Sequence, residues 1–381
     1  MACTRSGLFC GSIGLFMRRT CITYFCLFLL LQVLVGRPNS ADRRAEGRAD
    51  RLIEADDPNI QYTGRIDFSN LKKPKFWSPG VYIRAKWQGT SCEVIINDEA
   101  LQGSNHNYIA VVIDDGKPVR IQTTGTNNTI KAAEGLADGS HTITVCKDTE
   151  SGTGYLEFIG FRCAGLLPPA PRPVRKLEFI GDSITCGSGS DFSSSPCDKG
   201  QWYDQHNAYL SYGARVAREL GAEWHLTAVS GIGLVHSCCE MTITMPEVFD
   251  KMNLRANAMQ WDFKRYQPDA VSVCLGQNDG ARDPAGFQDA YVEFIGKIRS
   301  RYPRAQIVCL TSPMADPSLN AVLKDNLRQV VQRVNKMGDR RVHGFFFYKA
   351  YNDGCGDHPD LEQHRLIANE LAGYLKSLLD W

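Results

Sequence analysis

The sequence predicts an α/β chain in which an N-terminal β-sandwich of the jelly-roll kind precedes a domain built on a mostly parallel sheet covered by helices. Two patterns carry this expectation. From about Ile60 to Cys163 the chain shows short strand-like runs separated by turn signals, with little helical periodicity. Beyond Val174, apolar strand-like runs alternate with amphipathic segments, as parallel strands joined by helical crossovers require. Between the two regions, Leu166-Leu-Pro-Pro-Ala-Pro-Arg-Pro173 reads as a stiff linker.

The candidate strands of the first region are Val81–Trp87, Cys92–Ile96, Tyr108–Ile113, Val119–Thr123, His141–Cys146 and Leu156–Phe161. Asp114-Asp-Gly116 is a strong hairpin turn. Asn127-Asn-Thr129 is the one glycosylation sequon and is expected in a surface loop. In the second region, helices are expected near Ala208–Leu220, Ala285–Tyr302, Ser318–Met337 and Leu361–Leu379. They fall between apolar runs at 176–181, 271–275, 306–311 and 345–348. The expected boundaries are 1–41 for a signal peptide or signal anchor, 42–57 for a flexible spacer, 58–165 for the sandwich, 166–174 for the linker and 175–381 for the C-terminal domain.

The leader reading rests on Arg18-Arg19 followed by an apolar run from Cys21 to Gly36, a secretory pattern by charge and length. Cleavage between Gly36 and Asp42 gives a secreted protein, and retention gives a type II membrane anchor. The spacer is rich in Arg, Asp, Glu and Ala. Cysteine usage agrees with export, because four of the 14 cysteines lie in the leader and ten, an even number, lie beyond it. Cys186, Cys197, Cys238, Cys239 and Cys355 are expected in loops near one another, where one or two bridges would brace them. Cys274 and Cys309 sit in strand-like runs and read as buried free thiols. A net charge of +1, with no basic stripe interleaved with aromatics, excludes a nucleic-acid partner.

The chemistry is concentrated at three strand ends. Lys176-Leu-Glu-Phe-Ile-Gly-Asp-Ser-Ile-Thr-Cys-Gly187 is an apolar run that delivers Asp182 and Ser183 to a sharp turn. A serine there projects its hydroxyl into a cleft, with its backbone N–H facing a developing oxyanion. The competing reading is that Asp182 or Ser183 only caps the next helix. Val271-Ser-Val-Cys-Leu-Gly-Gln-Asn-Asp-Gly280 repeats the pattern, and after the run Phe345–Tyr348 the loop holds His358-Pro359, the place for a general base. Functional groups gather at the carboxyl ends of strands in open α/β sheets, so Ser183 and His358 can meet although 175 positions separate them.

The blocks Gly181-Asp182-Ser183, Ser230-Gly231, Gly276-Gln277-Asn278-Asp279 and His358-Pro359 occur in the order seen in SGNH hydrolases, the GDSL esterase/lipase superfamily. More particularly, the chain resembles carbohydrate esterase family 2, whose members place a β-sandwich ahead of the hydrolase domain. The stretch from Met245-Pro246 through Trp261-Asp262-Phe263 to Gln267-Pro268-Asp269 is also similar to that family. The resemblance covers roughly residues 60 to 381 and implies a jelly roll followed by a three-layer α/β/α SGNH domain with a mostly parallel sheet. It also implies Ser183 as nucleophile, His358 as base, and an oxyanion hole of the Ser183 and Gly231 N–H groups and the Asn278 side-chain amide. Glycine suits position 231, where a side chain would obstruct approach to the ligand.

One position departs from the superfamily pattern: the aspartate usual three residues before the histidine is Cys355. A thiol is a poor substitute for a carboxylate that orients an imidazole. The expectation is a Ser–His dyad with a backbone carbonyl holding the ring, and Asp353 or Asp357 in reserve. Of the eight histidines, His106, His141, His225 and His343 read as structural, and His206 and His364 as helix-associated and non-chemical. His236 beside Cys238 and Cys239 lacks a paired zinc motif, so neither metal nor cofactor is expected. Asp182, Trp202 and Trp261 are candidates for substrate contact. The resulting function is a serine esterase removing acetyl or other small acyl groups from O-acylated polysaccharide or glycan. A non-catalytic carbohydrate-binding protein and a lipase or thioesterase are the alternatives.

Overall fold

The computed structural model describes residues 49–256 and 259–381; the leader and residues 42–48 of the spacer lie outside the described residues. The first region forms β1 (Arg51–Glu54), β2 (Gln61–Thr63), β3 (Lys75–Phe76), β4 (Tyr82–Gly89), β5 (Cys92–Asp98), β6 (Tyr108–Ile113), β7 (Val119–Gln122), β8 (Asn127–Ala133), β9 (Gly139–Lys147), β10 (Leu156–Cys163) and β11 (Leu166–Leu167). One sheet runs β1-β10-β5-β8 with β3 beside β10. The other runs β11-β4-β9-β6-β7 with β2 beside β4. Pairing is antiparallel, and alternate residues such as Val94 and Ile96 of β5 face a core that also holds Trp87, Ile143, Phe158 and Phe161. Asp114 and Asp115 adopt φ of 51° and 55°, and Gly116 N donates to Ile113 O, so this segment makes the β6–β7 hairpin turn.

Three expectations about this region are corrected. Residues 51–54, assigned to a flexible spacer, form β1 and pair with Gly160–Cys163, because Ile53 has an apolar face to bury. Leu166–Leu167, assigned to the linker, pair with Trp87 and Lys86, so the stiff proline stretch begins only after them. The sequon lies in an edge strand rather than a loop; Asn127 and Thr129 face outward while Asn128 turns in and donates to Gly125 O. Two adjacent asparagines read as a turn, yet an edge strand tolerates them because alternate side chains remain in water.

The second region contains β12 (Arg175–Gly181), α1 (Ser183–Cys186), α2 (Tyr212–Glu219), β13 (Ala222–Ala228), α3 (Met245–Val248), β14 (Ala270–Cys274), α4 (Pro284–Arg301), β15 (Gln306–Leu310), α5 (Pro317–Lys336), β16 (Val342–Phe345) and α6 (Leu361–Leu379). Its sheet has the order β13-β12-β14-β15-β16, with every pairing parallel. Residues of α4 and α5 share one core cluster with Val271, Val273 and Ile307. Residues of α2 and α6 share another with Leu177, Phe179 and Val308 on the opposite face. Successive strand residues thus feed opposite faces, and the domain is a three-layer α/β/α sandwich.

Strand β13 was not anticipated. Its sequence Ala-Glu-Trp-His-Leu-Thr-Ala carries polar residues at alternate positions, yet every residue is buried. Two of the three polar groups find hydrogen-bond partners, Thr227 Oγ1 donating to Glu178 at 2.6 Å and Glu223 accepting from Arg172 at 2.8 Å, while the His225 ring stacks on Tyr266. The run expected at 345–348 is also displaced, since β16 ends at Phe345 and Tyr348 is 82% exposed.

A buried ion pair ties the two regions together. Arg65, from the loop after β2, donates to Phe249 O at 2.6 Å and Lys251 O at 2.8 Å, and pairs with Glu178 of β12 at 3.2 Å. Glu178 also accepts from Thr227 and Tyr302, and neither member of the pair is more than 1% exposed. Removing one partner of such a pair leaves an uncompensated buried charge, which destabilises by about 3–5 kcal/mol. Arg65→Met is therefore expected to lower unfolding free energy by about that amount in urea titration, and Arg65→Met with Glu178→Met to recover part of it. Equal stability of Arg65→Met and the parent would contradict this role.

Candidate active site

The parallel register places Gly181 opposite both Ala228 and Cys274, so the chain leaves β12, β13 and β14 at one edge of the sheet. Gly181 is needed for the tight exit: a Cβ there would come within 2.1 Å of Thr185 Oγ1 and 3.0 Å of Cys274 O. Asp182 follows as the cap of α1, its Oδ1 accepting from Ile184 N at 3.0 Å. Burial pushes its carboxyl pKa up to about 7, with nearby Asp279 adding to the rise. Asp182 is 1% exposed and its Oδ2 accepts from the Asn278 amide at 3.4 Å, which corrects its assignment to substrate contact.

Ser183 opens α1, and its Oγ lies 2.8 Å from His358 Nε2. The imidazole is held from behind by two backbone carbonyls, Nδ1 lying 3.1 Å from Cys355 O and 2.9 Å from Gly356 O. Carbonyl oxygens only accept, so Nδ1 carries the proton and Nε2 offers its lone pair to the serine hydroxyl. Asp353 instead accepts from Gln363 Nε2 at 2.6 Å. Asp357 makes no hydrogen bond to the ring and acts only as a nearby charge. The loop is tied down at Cys355: its N–H donates to Gly189 O at 2.8 Å, Gly354 N donates to His358 O at 2.7 Å, and its side chain meets Cys197 in disulfide geometry. Burial depresses the His358 pKa below the ordinary histidine value, against the opposing pull of the two carbonyls and Asp357.

Ser183, Gly231, Asn278 and His358 line one cleft of about 850 Å³. Gly231 sits at φ 83°, and a Cβ there would meet Cys238 Sγ at 2.9 Å, so both backbone conformation and space select glycine. The Asn278 amide donates to Ile232 O at 2.9 Å. Asp279 receives the N–H groups of Leu234, Val235 and His236 at 2.6 to 2.9 Å, which sets the course of the chain after Gly231. Trp202, 50% exposed, lies on the cleft wall with its edge against His206. Trp261 is corrected to a core residue: it is 4% exposed, lies outside the cleft, and packs against His225 and Arg65.

His206, expected to be helix-associated and non-chemical, is buried beneath the cleft lining. Its Nε2 lies 2.8 Å from Ser188 Oγ, which reaches Ser230 Oγ at 2.7 Å. Burial drives its pKa well below the usual value, so it stands neutral. The sequence gives no sign of Arg255, which lines the cleft, or of the buried Glu150 that pairs with it from behind. No motif spacing marks these residues, because Glu150 arrives from the other domain. Cys186 proves buried in α1 rather than placed in a loop, and the Cys238 and Cys239 sulfurs lie side by side. Cys274 and Cys309 are buried free thiols.

An alcohol and a neutral imidazole in contact, beside amide donors at the ends of parallel strands, define a serine hydrolase of the SGNH class, a carboxylic-ester hydrolase. The comparisons agree: residues 62–173 match the model of the carbohydrate esterase 2 N-terminal domain, and residues 179–367 match the GDSL-like lipase/acylhydrolase family. A family two carbohydrate esterase from Clostridium thermocellum, solved in complex with cellohexaose, is 31% identical with a TM-score of 0.77, covering 84% of this chain and 99% of that one. The chain therefore belongs to carbohydrate esterase family 2.

Among curated relatives, the cellulase/esterase CelE of Acetivibrio thermocellus is 32% identical over 86% of this chain, which spans 40% of the length of CelE. An acetylxylan esterase/glucomannan deacetylase of Cellvibrio japonicus is 28% identical over 86% of this chain and 91% of its own length.

The environment of His358 makes a direct prediction. An NMR titration of its ring is expected to show protonation below about 6.5, the value of an unperturbed histidine. A midpoint above that value would mean that a carboxylate, not the carbonyls, holds Nδ1 in solution.

Proposed function

We propose that this protein removes acetyl groups from O-acetylated carbohydrate through an acyl-serine intermediate. The observation that carries the reading is the 2.8 Å contact between Ser183 Oγ and a His358 ring held in the base tautomer. Ser183 Oγ attacks the ester carbonyl carbon while His358 Nε2 takes the hydroxyl proton. The negative charge that forms on the carbonyl oxygen is met by the N–H groups of Ser183 and Gly231 and the Asn278 amide. As the tetrahedral adduct collapses, His358 returns the proton to the departing sugar oxygen. Water then attacks the acetyl-serine by the same route and acetate leaves.

Two carbonyl dipoles replace the usual carboxylate behind the imidazole. They fix tautomer and orientation, and they stabilise the transient imidazolium less than a full charge would. The lowered His358 pKa keeps the base neutral in mildly acidic medium.

The carbohydrate assignment draws on relatives named for acetylxylan and glucomannan and on a family structure holding cellohexaose. In this chain the exposed face of Trp202 at the cleft offers a surface on which a sugar ring can stack. Export from the cell is supported by the leader pattern and by the Cys197–Cys355 pairing, which an oxidising compartment maintains. Among the described residues, no helix is long and apolar enough to cross a membrane.

Hydrolysis of 4-nitrophenyl acetate is expected to exceed that of longer acyl esters, and Ser183→Ala and His358→Ala are each expected to lower kcat by at least about 10³-fold. Asp353→Asn keeps much of the activity; its near-total loss would overturn the dyad. The acid limb of kcat/KM is expected below about pH 6.5, because activity disappears only as pH falls through the depressed His358 pKa. Trp202→Ala should raise KM for an acetylated oligosaccharide while sparing KM for the nitrophenyl ester.

A further inference from the structure

We infer that Glu150 and Arg255 form a positioning clamp on the Ser230–Gly231 peptide, so that the sandwich domain helps set the oxyanion hole of the hydrolase domain. This rests on the site reading above, in which Gly231 N is an oxyanion donor. Glu150 lies in the loop between β9 and β10, is fully buried, and pairs with Arg255 at 2.6 Å. Its second oxygen accepts from Ser230 N at 3.3 Å. The same Arg255 Nη2 donates to Ser230 O at 3.3 Å.

The pair therefore grips both polar backbone groups of Ser230. The carbonyl of Ser230 and the N–H of Gly231 belong to one planar trans peptide and point in opposite directions. Fixing that carbonyl toward Arg255 aims the Gly231 N–H the other way. Among the described residues this N–H donates to no protein acceptor, whereas Gly231 O is held by Cys238 N at 2.8 Å. A donor that binds nothing in the resting protein has to be oriented by its neighbours, and preorganised donors are worth most in catalysis.

Space around the pair is tight. A Cβ on Gly152 would fall 2.8 Å from both Arg255 Nε and Glu150 Oε1. Gly152→Ala thus presses on the clamp without changing its chemistry. Glu150 is fully buried while the Arg255 side chain stays 29% exposed, and their charge-assisted bond ties the sandwich loop to the hydrolase domain.

The test uses the full chain, with active sites counted by burst titration so that misfolded protein does not enter kcat. Arg255→Gln and Glu150→Gln are expected to lower kcat for 4-nitrophenyl acetate about 10- to 100-fold, short of the about 10²–10³ for deleting a donor outright. KM should stay within about twofold, and affinity for a small alkylboronic acid, whose tetrahedral adduct bears the anionic oxygen, should fall in parallel with kcat. Gly152→Ala is expected to show the same pattern more weakly, and it serves if the charge variants fail to fold. Unchanged kcat in these variants overturns the clamp, as does a raised KM with unchanged kcat, which would make Arg255 a substrate ligand. Ser183→Ala run alongside separates the two levels. If it retains activity the site reading itself fails; if it is inactive while the clamp variants keep full kcat, only this inference fails.

Discussion

The proposed active site depends on one constraint: three adjacent parallel strands that end in register. Because Gly181, Ala228 and Cys274 lie side by side, the residues two positions beyond β12, two and three beyond β13, and four beyond β14 emerge at the same edge. Ser183, Ser230-Gly231 and Asn278 are thereby brought together without any contact specific to the chemistry. A shift of one residue in any of these pairings would turn alternate side chains to the other face and separate the set. The buried apolar faces, packed against α4 and α5 on one side and α2 and α6 on the other, are what forbid such a shift.

His358 is the exception to this economy, since it comes from a long loop after β16 rather than from a strand end. Its position is secured by backbone: Gly354, Cys355 and Gly356 fold so that two carbonyls converge on Nδ1 and the Cys355 N–H reaches Gly189 O. Cys355 takes the place at which the wider superfamily carries an aspartate, and its side chain turns away to Cys197. A residue whose side chain is engaged elsewhere still orients the base, through its main-chain oxygen. The orienting group has changed from a side-chain charge to a main-chain dipole, which suits a base that burial already keeps neutral.

The sandwich domain is bound into the hydrolase rather than appended to it. Arg65 meets Glu178, Tyr82 stacks on Trp224 with centroids 4.0 Å apart, and Glu150 pairs with Arg255 behind the cleft wall. These contacts join residues 113, 142 and 105 positions apart within pairs, and each buries a polar or aromatic group that neither domain satisfies alone.

The layer architecture, and the residues proposed for the chemistry, were legible in the sequence. Periodicity marked six of the eleven sandwich strands and the four long helices, since apolar spacing follows from which face a residue must bury. The blocks around Ser183, Gly231, Asn278 and His358 were legible because strand ends with small and polar residues stand out against apolar runs. What eluded it were elements whose local pattern contradicts their environment, such as β13 with its buried Glu223, His225 and Thr227, and the sequon in β8. Tertiary packing alone settles that Asp353 serves Gln363, that Trp261 belongs to the core, that His206 and Arg255 border the cleft, and that Glu150 backs Arg255. The reason is physical: strand and helix periodicities are written in neighbouring residues, whereas the partner of a buried polar group is chosen by whichever distant segment packing delivers to it.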